Sequence, residues 1–150
     1  MPDAGAHMHL TEYSDRVLSL AQAIYRWLGA LSGLDEARRL KLAGYADEIA
    51  ATLARAADAM VRLDADPRDT AARRQMVREL GRIGGYVETM AGGLRHELDG
   101  RKLAGVKRRL EQLSAGVRLD SKGGGPDVTG IERIIAAEGF FKALADGLRA

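Results

Sequence analysis

The stretch LAGYADEIAATLARAADAMVRL, residues 42–63, decides the fold class of this chain. Apolar side chains recur in it at alternating spacings of three and four residues, at Leu42, Ala46, Ile49, Leu53, Ala56, Met60 and Leu63. A strand would alternate every second residue, whereas this spacing places all seven side chains on one stripe of a helix. A stripe this narrow is typical of a seam in a helical bundle or a coiled coil.

The segments on either side show the same periodicity. We predict helices over residues 11–31, 36–63, 67–98, 101–119 and 130–149, of which the third and fourth could form one long bent helix. Asp35 is expected to be the N-cap of the second helix, and Pro67 is expected in the first turn of the third. Thr129 and Glu132 have the spacing of a capping box for the last helix.

The sequence therefore predicts an all-α fold, an antiparallel helical bundle of four to five helices with a C-terminal helix tethered by a Gly-rich linker. We expect a flexible tail over residues 1–10, the bundle over 11–119, the linker over 120–128 and the amphipathic C-terminal helix over 129–150. Two roles remain open for that last helix. It is either a permanent member of the bundle or a docked element that can leave it.

The predicted core follows the apolar stripes. Beside the seam quoted above, the stripes comprise Tyr13, Val17, Leu20, Ile24, Trp27 and Leu31, then Met76, Leu80, Ile83, Val87, Met90 and Leu94, then Leu103, Val106, Leu110, Leu113 and Val117, and finally Ile131, Ile134, Ile135, Phe141, Leu144 and Leu148. We expect Leu53, Met60, Ile83, Val87 and Leu110 to be core residues. Glycines are frequent in the third helix, and Gly85 and Gly92 are expected to allow close approach of another helix; the alternative is a kink.

Composition narrows the function classes. The chain has 150 residues, enough for one domain, and no Cys, which removes disulfides, thiolate metal sites and Cys nucleophiles. No apolar run is long enough to span a membrane and the first ten residues do not resemble a signal peptide, so a cytoplasmic protein is predicted. The net charge is +2, and arginine outnumbers lysine by 18 to 5, which is typical of a GC-rich bacterial genome.

Catalytic and metal-binding patterns are sparse. The chain has no Glu-x-x-His pair of the kind that ferritin-like bundles use, and no serine lies in a Gly-x-Ser-x-Gly elbow. His7 and His9 fall in the predicted tail, where a copper site would be adventitious. We therefore predict no metal, no cofactor and no enzymatic activity.

One local segment has a chemical alternative. The segment LRHELDG, residues 94–100, resembles the phosphoacceptor region of histidine-kinase dimerisation helices and the His-x-Leu-x-Gly pattern of histidine-phosphotransfer proteins. The resemblance covers about seven residues, and it implies that His96 would accept the phosphoryl group with Glu97 as its base. The structural interpretation is a surface histidine close to the end of a helix.

Basic residues offer a second alternative. Arg74, Arg78 and Arg82 are spaced four residues apart, which makes one ridge on the third helix. Arg101, Lys102, Arg108 and Arg109 cluster on the fourth. Such ridges can contact nucleic-acid phosphates, although interleaved glutamates also fit a solvated, salt-bridged face.

The function that we predict is protein–protein interaction or self-assembly by a non-enzymatic helical bundle, with surplus apolar stripe on the first three helices driving oligomerisation. Histidine phosphotransfer and nucleic-acid binding are the alternatives. The predicted partner-binding residues are Arg74, Arg78, Arg82, Arg101, Lys102, Arg108, Arg109, Ile134, Phe140, Phe141 and Leu144.

Overall fold

The computed structural model describes residues 10–93, 101, 104–105, 108–109 and 127–150. Within them the structure bounds five α-helices and contains no strand, so the predicted all-α bundle is confirmed. The helices are α1 (Leu10–Tyr25), α2 (Leu28–Leu31), α3 (Glu36–Ala65), α4 (Thr70–Gly93) and α5 (Val128–Arg149). Most of the predicted helix over 101–119, including Leu110, and the glycine run of the predicted linker lie outside the described residues.

The last helix, α5, lies between the first and the third. α5 packs against both α1 and α3, and α3 packs on another side against α4. α1 and α5 run in the same direction. Thr11 and Asp127 meet where the two helices begin, the rings of Tyr25 and Phe140 lie 5.5 Å apart further along, and Leu28 of α2 lies against Gly147.

α3 runs antiparallel to both of its neighbours. Arg39, near the start of α3, donates a hydrogen bond of 2.9 Å to the carbonyl of Leu148 at the end of α5. Arg62, near the end of α3, donates to Gln75 in the first half of α4. α3 is therefore the helix on which both halves of the bundle assemble.

The predicted seams form one core. Every residue of the predicted stripes of α1–α2, α3 and α4 that the structure describes is buried. Of the five predicted core residues, Leu53, Met60, Ile83 and Val87 have no measurable exposure. The same core includes Ile134, Phe141, Leu144 and Leu148 of α5. The described residues of the stripes on the first three predicted helices are buried within one chain. They therefore do not supply the exposed apolar surface that we expected to drive self-association.

The predicted first helix is interrupted, and an uninterrupted helix over 11–31 is wrong. α1 ends at Tyr25, and the backbone of Trp27 has φ −88° and ψ 0°. The Trp27 N–H bonds three residues back, to the carbonyl of Ile24 at 3.0 Å, which tightens the turn before α2 begins. Trp27 and Leu31 are nevertheless buried, so the apolar stripe continues through the break.

The predicted start of α4 is also wrong. α4 begins at Thr70 because Asp69, rather than a proline in the first turn, caps it; the Asp69 carboxylate accepts from the Ala72 N–H at 3.0 Å. Pro67 lies in the preceding turn. Asp35 does precede α3 as predicted, but its carboxylate makes no cap hydrogen bond and lies 3.4 Å from Arg38 instead.

α5 begins at Val128, two residues before the predicted start at residue 130. Its N-cap is Asp127, whose carboxylate accepts from the Gly130 N–H at 2.7 Å, while Thr129 lies inside the helix. The other carboxylate oxygen of Asp127 accepts from the Thr11 hydroxyl at 2.9 Å. A residue on α1, far away in sequence, therefore fixes where α5 starts.

No helix that the structure describes makes the close approach to Gly85 and Gly92 that we predicted. A Cβ added at Gly81, Gly84, Gly85 or Gly92 would meet no described atom within 4 Å. The close approach occurs elsewhere, because a Cβ on Gly147 of α5 would lie 2.6 Å from a methyl carbon of Leu28. The spacing of glycines along the sequence does not show which face of a helix packs against a neighbouring helix.

Candidate interaction surfaces

The predicted partner-binding residues on α5 lie mostly inside the bundle. Ile134, Phe141 and Leu144 are buried, and the half-buried Phe140 packs edge-on against the ring of Tyr25. Their apolar area is thus covered within the chain. A partner could reach it only if α5 left its position between α1 and α3.

The arginine ridge on α4 faces solvent. Arg74, Arg78 and Arg82 are all exposed, as their spacing of four residues predicts for one side of a helix. Arg82 bonds the carboxylate of Glu79 at 3.1 Å, whereas Arg74 and Arg78 make no ion pair with the residues that the structure describes. Two positive charges, about 6 Å apart along the helix axis, therefore remain available.

Glu79 is the one charged residue that is buried within the described chain, and sequence reasoning missed it. Its side chain is only 4% exposed, yet Arg55 of α3 donates to one carboxylate oxygen at 2.7 Å and Arg82 donates to the other. The Thr52 hydroxyl accepts a further hydrogen bond from Arg55 at 3.2 Å. A buried carboxylate held in this way fixes the register of α3 against α4. The available signal was an acidic residue beside the seam residue Leu80.

The remaining predicted site residues are only partly visible. Arg101 and Arg108 are exposed, and Arg109 is half-buried and donates to the carbonyl of Gly105 at 3.2 Å. Lys102, His96 and Glu97 lie outside the described residues. The phosphoacceptor hypothesis therefore remains a prediction.

Four large aliphatic side chains are exposed on α3 and α5, and one of them, Leu40, is 46% exposed near the start of α3. The other three, Val61, Val128 and Ile135, are 52%, 62% and 50% exposed, and we call them the aliphatic edge. Ile135 was predicted in the core, and that prediction is wrong. The buried seam of α5 passes through Ile134, Ala137 and Phe141, and Ile135 lies about 100° round the helix from Ile134, which turns it outwards.

The three residues of the aliphatic edge lie in the same half of the bundle. Taking the contact between Arg39 and Leu148 as a common level, Val61 is 22 residues along α3 and Val128 is 20 residues back along α5. At about 1.5 Å per residue, these positions are roughly 33 Å and 30 Å from that level. Because the helices are antiparallel, Val61 and Val128 reach the same end of the bundle, and Ile135 lies two turns further in.

Two other features bear on chemistry. The hydroxyl of buried Tyr13 donates to the carbonyl of Leu80 at 3.3 Å, and burial raises the pKa of this phenol. Its role is therefore to tie α1 to α4. In the part of the chain that the structure describes, no group of three or more His, Asp or Glu side chains could hold a metal ion, and no helix is both long and apolar enough to cross a membrane.

The fold and these surfaces define a helical bundle with exposed aliphatic and cationic faces. Comparison with protein-family models, with curated proteins and with solved structures gave no match to this chain. Function must therefore be argued from the surfaces themselves.

Proposed function

We propose that this chain works without catalysis, as a protein–protein interaction or self-assembly module in the bacterial cytoplasm. The observation that carries the proposal is the aliphatic edge. Val61, Val128 and Ile135 remain about half-exposed or more, although the core beneath them is complete. Burying the exposed part of each would contribute about 1 kcal/mol, and Val128 and Ile135, two turns apart on one face of α5, can form the apolar centre of a small interface.

The position of the aliphatic edge supports the same proposal. α5 is held from both sides, by the contact of Arg133 with Asp15 on α1 at 3.8 Å and by the ion pair of Arg149 with Asp47 on α3. The outer side chains of a helix fixed in this way are preorganised. A partner that docks there pays little for ordering the backbone.

The test compares two exposed valines. Val61→Lys changes the aliphatic edge, whereas Val77→Lys changes a valine of matched exposure, 53%, on α4. Ile135→Lys is the second variant of the edge. Each tagged full-length protein is used to recover bound proteins from its source cell, and its mass in solution is measured. Thermal unfolding confirms that each variant is folded.

We expect Val61→Lys and Ile135→Lys to lose a partner protein, or self-association, that Val77→Lys retains. The proposal is wrong if all three variants keep the same partners and the same mass as the wild type. It is also wrong if Val77→Lys alone loses them.

A polyanion is the second candidate partner, favoured by Arg74 and Arg78, which are exposed and make no ion pair with any described residue. If this face binds DNA, affinity for a duplex should fall steeply with salt. Arg74→Glu combined with Arg78→Glu should then abolish binding, while Arg38→Glu on α3 should weaken it far less. If the double variant at Arg74 and Arg78 binds the duplex as tightly as the wild type does, the α4 ridge is not the binding surface.

A further inference from the structure

The outer face of α5 carries a second regular stripe. Its residues follow the same spacings of four and three as the buried seams, but all six are exposed: Val128, Glu132, Ile135, Gly139, Lys142 and Asp146. Neither α1 nor α3 covers this stripe. It is the part of α5 that faces away from the bundle.

The stripe is symmetric about Ala137. Glu132 and Lys142 each lie five residues from this position, and Ile135 and Gly139 each lie two residues from it. Two α5 helices placed antiparallel, with a two-fold axis beside Ala137, would therefore bring each Glu132 level with Lys142 of the second copy. The same operation sets each Ile135 against Gly139 of the second copy at the centre, and each Val128 against Asp146 at the two ends.

The local contacts permit this pairing. Glu132 makes no ion pair with any described residue, and the exposed Lys142 has only the Glu138 carboxylate of its own helix nearby, at 3.5 Å. A Cβ added to Gly139 would meet no described atom within 4 Å, so a space lies open where the side chain of Ile135 would arrive. The exposed Ala136 next to the axis allows two helices to approach closely.

We propose that the partner of this face is a second copy of the same chain, bound through antiparallel α5 helices. The assignment rests on the proposed function and specifies its partner. Opposite charges at equal distances on the two sides of the axis make the face complementary to itself. Such an isologous contact uses the same surface on both copies. It therefore stops at a dimer, because neither copy has that surface left for a third.

A charge exchange tests the pairing. In Glu132→Lys, two lysines would face two lysines across the axis, and in Lys142→Glu two glutamates would face two glutamates. We expect each single variant to weaken dimerisation about tenfold, because both symmetric contacts turn repulsive. The double variant Glu132→Lys with Lys142→Glu restores both pairs and should return to near the wild-type dissociation constant. Glu88→Lys on α4 is the matched control, and it should leave dimerisation unchanged.

Cross-linking gives a second readout. The chain has no cysteine, so a single introduced cysteine reports on one position. Ala136→Cys places two thiols close to the axis, where mild oxidation should yield a disulfide-linked dimer. Ala71→Cys, an exposed alanine on α4, should stay monomeric under the same conditions.

Sedimentation velocity across micromolar concentrations decides between the outcomes. A protein that stays monomeric at several hundred micromolar refutes the dimer. A dimer that ignores the single exchanges, or that the double exchange fails to restore, refutes the antiparallel pairing. If the chain is monomeric but Val61→Lys still loses a different protein, the interaction function survives and only this partner is wrong.

Discussion

Replacing three of the exposed glycines of α4 with alanine should stabilise the bundle. Gly81, Gly85 and Gly92 lie inside a regular helix and are exposed, and an added Cβ at each would meet no described atom within 4 Å. Glycine in a helix interior is about 0.8–1.0 kcal/mol less favourable than alanine. The added methyl groups would share no contact partner among the described atoms, so their effects should add, giving about 2.5 kcal/mol for the triple variant.

Urea denaturation followed by circular dichroism measures this gain. The midpoint should rise while the slope with urea stays constant, and the melting temperature should rise by about 5–10 °C for a domain of this size. Gly147→Ala is the control, because it has the same propensity gain but its Cβ would lie 2.6 Å from Leu28. It should gain less than any single α4 variant or lose stability. A triple variant no more stable than the wild type would refute the reasoning, since these glycines would then be making a contact that alanine disrupts.

Three further predictions follow from the core and from the unresolved chemical alternative. Leu53→Ala should destabilise the protein by about 2–5 kcal/mol in urea, because Leu53 is fully buried on α3; a loss below about 0.5 kcal/mol would contradict the seam. Backbone amides over residues 134–144 should exchange with deuterium as slowly as that of Leu53, since α5 packs on two helices; much faster exchange would show that α5 leaves the bundle. His96 should acquire no stable phosphate from small phosphodonors, and an acid-labile signal lost in His96→Ala would establish the phosphotransfer alternative.

The sequence predicts the seams well because a seam is a local property. The spacing of Leu53, Met60 and Leu63 is imposed by one helix turning about its own axis, and it needs no knowledge of the neighbouring helix. The same holds for the inward positions of α1 and α4. Every such residue within the described chain is buried.

Two of the errors occur where a distant residue decides a local outcome. Asp127 rather than Thr129 caps α5 because the Thr11 hydroxyl of α1 holds its second carboxylate oxygen. Glu79 is buried because Arg55 of α3 reaches its carboxylate. The periodicity of the sequence reveals neither contact. The caps, the buried charge and the exposed position of Ile135 could therefore be found only from the structure.

The packing of α5 links its two faces. The inner face holds Ile134, Phe141 and Leu144 in the common core, and releasing the helix would expose all three at a cost of several kcal/mol. The structure therefore favours the permanent helix over the detachable one as the starting point for function. Because the inner face fixes α5, the outer side chains of Glu132, Ile135 and Lys142 keep their spacing along the helix without a partner. A surface that is fixed before binding can select a partner by the spacing of its side chains as well as by their charge. The charge exchange at Glu132 and Lys142 tests this selectivity directly.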